Sequence, residues 1–166
     1  MCVLYVRCLR TLTPMITVRH IDRVCLQENF YKKFIDKYSK LNRDLLVVFD
    51  LRISCFGMHE YDFEKKLHTI RISPVKNAVH VTSKDVIIQL DIESEKYNLL
   101  STTLHELYHG EQRETLKKGF FNSNFLSAKV KNVELKEFWS RCEVEARKYE
   151  LEHILEGVAY YNELIK

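Results

Sequence analysis

The spacing of hydrophobic and polar positions predicts one helix and then two strands in the first half of the chain. Apolar residues recur at helical spacing over residues 25–41, and a row of lysines occupies the opposite face, which is typical of an amphipathic helix. Residues 45–53 are rich in β-branched and aromatic types, so we expect a strand there, ended by a loop through Gly57. Residues 67–72 alternate and stop before Pro74, which predicts a second strand.

The second half of the chain changes from strands to helices. Residues 79–81 and 86–90 predict one or two further strands, separated by a polar turn. A long helix is expected from just after Ser94 to about Lys118, ending at Gly119. Helical spacing returns over residues 133–156, and a last apolar segment, 158–165, follows Gly157. In the intervening segment, Phe120, Phe121 and Phe125 are expected either to close the core or to line a substrate cleft.

These elements predict an α+β fold, with an N-terminal helix, a small mixed sheet with an edge strand, and C-terminal helices. An exposed sheet edge beside a helix can accept an extended peptide as an added strand. We expect residues 15–166 to form a single domain, because 166 residues are enough to bury a core without disulfides. Residues 1–14 are expected to be a poorly ordered lead-in, or the product of translation upstream of a start at Met15.

Composition and charge describe an ordinary globular protein and exclude little. The net charge of +3 is spread along the chain and gives no reason to expect nucleic acid as a partner. No apolar run approaches the length of a signal peptide or a membrane span, so we predict a cytoplasmic protein without a membrane partner. Five cysteines at irregular spacing fit reduced, mostly buried thiols better than a disulfide framework.

The clearest chemical signal is the sequence His-Glu-x-x-His at His105, Glu106 and His109. On a helix, histidines four residues apart project from one face and can bind a common metal ion, for which Zn²⁺ is the usual occupant. Leu100, Leu104 and Leu107 give the segment an apolar face that would fix it to the core. The opposing interpretation is a chance pair of surface or core histidines.

A catalytic zinc site needs a third protein ligand. Apolar positions on the 133–156 helix form one stripe that includes Cys142, Ala146 and Tyr149, and Glu145 falls within that stripe. A buried carboxylate needs a compensating charge, which a bound dication would supply, so Glu145 is the predicted ligand. Glu143 is rotated by about 200° and is expected to point elsewhere. Two weaker candidates, Glu152 and His153, lie further along the helix, and Glu145 could instead pair with Arg141 or Arg147 at the rim.

The His105-Glu106-x-x-His109 sequence followed by Glu145-Ala146 on a later helix resembles the gluzincin branch of zinc metallopeptidases. The resemblance implies a zincin-like fold over roughly residues 45–150, three zinc ligands at the two histidines and the later glutamate, and a general base at Glu106. The small size is similar to minimal single-domain forms, including SprT-like proteins and compact peptidases of mobile elements and stress responses. The chain lacks the Asn before the ligand Glu of thermolysin-type enzymes and the extended motif of the metzincin branch, so the subfamily stays open.

We therefore predict a zinc-dependent endopeptidase that acts on an intracellular protein or peptide. Glu106 would take a proton from the attacking water and pass it to the leaving nitrogen. Tyr149 is the predicted oxyanion donor, with Tyr108 and His153 as lesser options and a core tyrosine as the competing interpretation. Two alternatives are an inactive zincin-fold binding or regulatory module and a DNA-associated SprT-like protease. Residue patterns do not indicate the oligomeric state.

Overall fold

The computed structural model describes residues 13–115 and 133–166. Within them the chain forms, in order, β1 (Ile16–Arg19), a 3-10 turn (Ile21–Arg23), α1 (Glu28–Tyr38), β2 (Asp44–Phe49), β3 (Gly57–Asp62), β4 (Leu67–Ile72), α2 (Pro74–Asn77), β5 (Val79–Val81), β6 (Ile87–Gln89), α3 (Ile92–Thr115) and α4 (Val133–Leu164). The predicted α+β class with a small mixed sheet is confirmed.

Four strands form the main sheet in the order β1-β2-β4-β3. β1, β2 and β4 run parallel, and β3 pairs antiparallel with β4 at one edge. Burial alternates along β2 and β4, so Leu45, Val47 and Ile70 point into the core while their neighbours along the strand are only partly buried. A separate two-stranded sheet pairs β5 with β6.

The helices cover the buried face of the main sheet. The core contains aromatic residues of α1, leucines of α3 and tyrosines of α4, among them Tyr31, Phe34, Leu104, Leu107 and Tyr161. α3 and α4 make the most extensive helix–helix contact. Ser101 of α3 contacts Glu150 of α4, whereas the later residue Gln112 contacts the earlier residue Cys142, which shows that the two helices run antiparallel. None of the described helices is long and apolar enough to cross a membrane.

Several predicted boundaries need correction. The strand expected at 45–53 ends at Phe49, because Asp50 turns the chain and binds the guanidinium groups of Arg52 and Arg71. β1 and β3 were not predicted. The first helix is shorter than the predicted 25–41, and α3 begins at Ile92, where the Asp91 carboxylate accepts the backbone N–H of Ser94 as an N-cap.

The predicted interruption at Gly157 is wrong, since α4 continues through it to Leu164. A glycine in a helix interior costs about 1 kcal/mol relative to alanine. At this position a Cβ would lie 2.9 Å from Cε2 of Phe34, which is fully buried. Gly157 therefore lets α4 approach α1 closely instead of ending the helix. The predicted helix end at Lys118 and Gly119 lies outside the described residues, as do Phe120, Phe121, Phe125 and residues 1–12.

Gly157→Ala should lower the free energy of unfolding by about 1–2 kcal/mol, because the overlap with Phe34 exceeds the gain in helix propensity. Urea denaturation measures the difference. Glu163→Ala, at an exposed position of the same helix, should change stability by less than about 0.5 kcal/mol. A more stable Gly157→Ala protein would show that the contact with Phe34 is loose.

Two buried histidines, one on the edge strand β3 and one on β4, form a hydrogen-bonded chain that leads to α3. His59 Nε2 of β3 lies 2.9 Å from His68 Nδ1 of β4, and His68 Nε2 lies 2.9 Å from Oε1 of Glu114. Burial holds the pKa of His59 well below its usual value and also lowers the pKa of His68, although Glu114 opposes the second shift. Both rings are therefore neutral in the folded protein at pH 7.

Histidine pKa values that fall on folding stabilise the protein above about pH 6.5, and this contribution is lost as the pH falls. Relative to a His59→Gln/His68→Gln variant, the wild type should lose about 1 kcal/mol or more of unfolding free energy between pH 7 and pH 5. Chemical denaturation at each pH measures this difference. His80→Gln, which changes an exposed histidine of β5, should keep the wild-type pH dependence. Parallel curves for the wild type and the double variant would contradict the prediction.

Candidate metal centre

Helix α3 brings the two histidines of the motif together. Leu100, Leu104 and Leu107 are buried against the core, which fixes the rotation of α3 so that His105 and His109 face a cavity beside the sheet. Their Nε2 atoms lie 3.1 Å apart. The motif therefore presents two imidazole nitrogens to one point, as its spacing predicts.

The carboxylate that completes this group is Glu143 of α4. Its Oε2 lies 3.3 Å from Nε2 of His105, and its Oε1 lies 3.2 Å from Nε2 of His109. Ligand atoms of the three residues all lie within 4.8 Å of one another. Two imidazoles and one carboxylate form the donor set of many catalytic zinc sites.

The structure does not place the predicted ligand Glu145 in this group. Its side chain is exposed and accepts a hydrogen bond of 3.1 Å from Nε2 of Gln112. The stripe through Cys142 and Ala146 is the face of α4 that packs into the core, whereas the cavity lies beside that face. The prediction assumed that a ligand must lie within the apolar stripe, whereas the structure brings Glu143, on the neighbouring face of α4, next to the histidines.

Tyr149 also lies elsewhere and is a core tyrosine. Its hydroxyl donates to the backbone carbonyl of Tyr38 at 3.1 Å, and its ring stacks between Tyr108 and His153. None of these three stacked residues lines the cavity. The predicted oxyanion donor and both lesser options are thus not placed beside the histidines, and Glu152 lies on the exposed surface of α4.

A second carboxylate, Glu150, orients His105 from behind. It is 5% exposed, and its Oε2 lies 3.2 Å from Nδ1 of His105. The Ser101 hydroxyl donates to its Oε1, and Nη1 of Arg147 lies 2.7 Å and 2.8 Å from its two oxygens. Sequence reasoning missed Glu150, although it follows Glu143 by seven residues and therefore lies on the same face of α4.

Gln112 has the corresponding role at His109. Its Oε1 lies 2.8 Å from Nδ1 of His109, and its Nε2 donates to the carbonyl of Cys142 at 3.0 Å. An acceptor at each Nδ1 places a proton there, so that Nε2 is the nitrogen directed at Glu143 and the cavity. Acceptors of this kind are the usual partners of metal-binding histidines, since they fix the tautomer and the ring orientation.

The close contacts among these side chains determine the protonation states of His105 and Glu143. Burial disfavours the charged form of His105, but Glu143 and Glu150 outweigh it and raise its pKa to about 9. Hydrogen bonds from the two histidines hold the pKa of Glu143 well below its usual range. At neutral pH the group therefore carries the carboxylate of Glu143 and a protonated His105, and metal binding would replace the extra proton of His105.

Glu106 is positioned differently from the other two motif residues. It is 6% exposed, and burial raises its pKa to about 7. β3 passes directly over it, because a Cβ on Gly57 would lie 2.9 Å from both Cγ and Oε1 of Glu106. A carboxyl group that titrates near neutrality at the wall of a cavity is suited to general acid–base chemistry.

The cavity has a volume of about 790 Å³ and is partly open to solvent. β3 and the residues just before it form one wall, with Phe56 and Met58, and α3 and α4 form the others. His105, Glu106, His109 and Glu143 all line it. This volume is ample for several residues of an extended peptide or for a smaller ligand.

The residues fit a tetrahedral zinc ion. Zn²⁺ bonds of about 2.0–2.2 Å in tetrahedral geometry place neighbouring ligand atoms roughly 3.3–3.6 Å apart. The two Nε2 atoms lie 3.1 Å apart, and each of them lies 3.2 or 3.3 Å from a different oxygen of Glu143, which is close to that spacing. A third protein ligand leaves the fourth position open, as a catalytic site requires.

The described cysteines offer no activated nucleophile. Cys25, Cys55 and Cys142 are free thiols, and Cys55 lies in the cavity wall. Burial raises the pKa of each of the three, and it does so to about 11 for Cys25 and Cys142. These thiols are therefore protonated at neutral pH, which agrees with the structural role predicted for them.

Comparisons of the chain with protein-family models, with curated proteins and with solved structures find no match.

Glu150→Ala should weaken Zn²⁺ binding by about 10- to 100-fold, because it removes the acceptor that orients His105. A competition titration against a fluorescent zinc chelator measures the affinity. Glu152→Ala removes a carboxylate two residues away on an exposed part of the same helix and should leave it unchanged. Equal affinities in both variants would show that Glu150 has no part in the metal centre.

Proposed function

We propose that the protein is a zinc-dependent endopeptidase of the gluzincin type, in which His105, His109 and Glu143 hold the metal. The observation that carries the proposal is the convergence of these three ligand atoms within 4.8 Å beside the buried carboxyl of Glu106. A site that only stabilised the fold would need no ionisable group at that point. Glu143 replaces Glu145 as the third ligand of the proposal.

A bound Zn²⁺ would supply Lewis acidity and would make water a stronger acid. Glu106 takes the proton of the attacking water and delivers it to the leaving amine, for which a pKa of about 7 is well matched to neutral pH. Glu150 and Gln112 hold the two imidazoles in the tautomer that presents Nε2. In this proposal the side chains of α3 and α4 have two separate roles, because one set binds the metal or orients its ligands and Glu106 transfers the proton.

The substrate would lie along β3. This strand is at the edge of the main sheet, pairs on its other side with β4, and has Gly57, Met58 and His59 in the cavity wall. An edge strand offers unpaired backbone groups to which an extended peptide can add as another strand. A peptide bound this way would cross the cavity above the metal-binding group. This arrangement supports a zincin-like fold for the chain and a protein or peptide as its substrate.

We further propose an intracellular site of action, which unpaired thiols at Cys25, Cys55 and Cys142 would suit, since disulfides are rare in the reducing cytosol. The alternative function is that of a module that binds metal and peptide without cleavage. Such a module would bind the same metal and the same peptide as the peptidase, but Glu106 would not promote hydrolysis. Metal content and hydrolysis therefore have to be measured on the same set of variants.

Elemental analysis of the purified protein should give about one zinc per chain, because the site has three protein ligands. His109→Ala and Glu143→Ala should lose the metal, and Glu145→Ala, the matched control on α4, should retain it. Absence of zinc after purification without chelators and reconstitution with Zn²⁺ would refute the metal site. Zinc loss in Glu145→Ala but not in Glu143→Ala would restore the ligand that the sequence predicted.

Glu106→Gln should retain zinc and lose at least about 10²-fold in the rate of peptide hydrolysis, because it removes the base without changing the size of the side chain. Cleavage of a mixed-sequence peptide library, followed by mass spectrometry, measures hydrolysis of many sequences at once. Zinc-loaded wild type that cleaves no member of the library would favour the binding module. Equal cleavage by the wild type and by Glu106→Gln would exclude Glu106 as the base.

A further inference from the structure

The two ends of the cavity differ in charge. Because α3 and α4 run antiparallel, Arg113, four residues after His109, and Lys136, seven residues before Glu143, lie toward the same end. Trp139 also lies toward this end. We call the part of the cavity lined by Arg113, Lys136 and Trp139 the basic end.

The opposite end carries a cation that is already neutralised. Arg147 lies there, and its Nη1 is 2.7 Å from the carboxylate of Glu150. At the basic end, Nη2 of Arg113 donates to the backbone carbonyl of His59 at 3.2 Å. Lys136 is exposed and has no salt bridge among the residues that the structure describes.

Among the residues that the structure describes, the charge balance of the cavity lining becomes positive when the metal centre is filled. These lining residues include three acidic ones, Glu106, Glu143 and Glu150, and three cationic ones, Arg113, Lys136 and Arg147. Two of the carboxylates are committed, since Glu143 belongs to the metal-binding group and Glu150 to His105 and Arg147. A divalent cation adds two positive charges at the centre, and the field of a partly enclosed cavity attracts anions.

The basic end also has an apolar component. The rings of Trp139 and Phe138 are in edge contact, with centroids 5.2 Å apart, and Met58 of β3 contributes to the facing wall. A glutamate side chain joins two methylene groups to a carboxylate, so it could pack against Trp139 and Met58 while its oxygens reach the cations. Arginine and lysine at the end of an apolar cleft are a common means of carboxylate recognition.

From these observations we propose that the basic end is a subsite for a carboxylate of the bound peptide, so that the protein selects acidic substrates. The proposal rests on the proposed peptidase function for the position of the peptide across the cavity. The carboxylate can come from an acidic side chain or from the C-terminus of the peptide. The tests below separate these two sources.

Trp139 provides a direct readout, because it is the single tryptophan of the chain. Zinc-loaded Glu106→Gln protein is titrated with heptapeptides that are acetylated and amidated and that differ only in Glu or Gln at one position, scanned along the peptide. The Glu peptide should change Trp139 fluorescence and bind roughly 10-fold more tightly than the Gln peptide at low salt, and the difference should shrink as salt is added.

Lys136→Glu in the same background should abolish the preference for Glu over Gln. Lys148→Glu makes the same charge change on the same helix outside the cavity, so it should keep the preference. Peptides with a free C-terminus and no acidic side chain identify a terminal carboxylate as the ligand if they alone bind tightly. Equal affinity of acidic, neutral and free-terminus peptides, or a preference that persists in Lys136→Glu, would overturn the proposal.

The two proposals can fail separately. Hydrolysis of neutral and acidic peptides at equal rates by the zinc-loaded wild type, together with equal binding, would retain the peptidase and remove the acidic subsite. Selective binding of carboxylate peptides measured through Trp139, without hydrolysis of any peptide by the wild type, would retain the subsite and remove the peptidase.

Discussion

Contact between α3 and α4 around His105 is the interaction on which the candidate site depends. The imidazole lies between two carboxylates of one helix, with Glu143 at Nε2 and Glu150 at Nδ1. Buried charges are costly alone, and Glu150 is accommodated because Ser101, His105 and Arg147 satisfy its oxygens. A change in the rotation or translation of α4 would separate both carboxylates from the histidine at once. The register between α3 and α4 therefore determines the geometry of the site.

The sheet fixes the other half of the site. α3 packs on the sheet through its leucines, and β3 at the edge covers Glu106 and forms the outer wall of the cavity. The histidine pair at His59 and His68 links this edge strand to β4 and, through Glu114, to the last turns of α3. Buried polar groups thus connect the strand and the helix that define the cavity.

Residues with a local signal could be predicted from the sequence, and those defined by packing could not. His105, Glu106 and His109 follow from a five-residue motif, and the strand Leu67–Ile72 follows from alternation. β3 was missed because Gly57, His59 and Asp62 do not resemble a strand by composition, and His59 is a polar residue turned inward. Glu143 was missed because periodicity identifies the buried face of α4 but not the neighbouring face that meets the cavity. Glu150 was missed because its partners on α3 are 45 and 49 residues away in sequence, and its spacing from Glu143 is informative only once Glu143 is known to face the histidines.

The close approach of Gly57 to Glu106 has a consequence for how the gene can vary. Every substitution at position 57 adds at least a Cβ, and that atom would lie 2.6 Å from Cγ2 of Thr102 and 2.9 Å from Oε1 of Glu106. Selection that preserves the carboxyl group of Glu106 would then act on codon 57 as well, although that residue has no side chain and takes no part in chemistry. In a mutational scan, positions 106 and 57 should both tolerate few substitutions. Position 106 is restricted because its carboxyl group holds a proton, and position 57 because there is no room for a side chain.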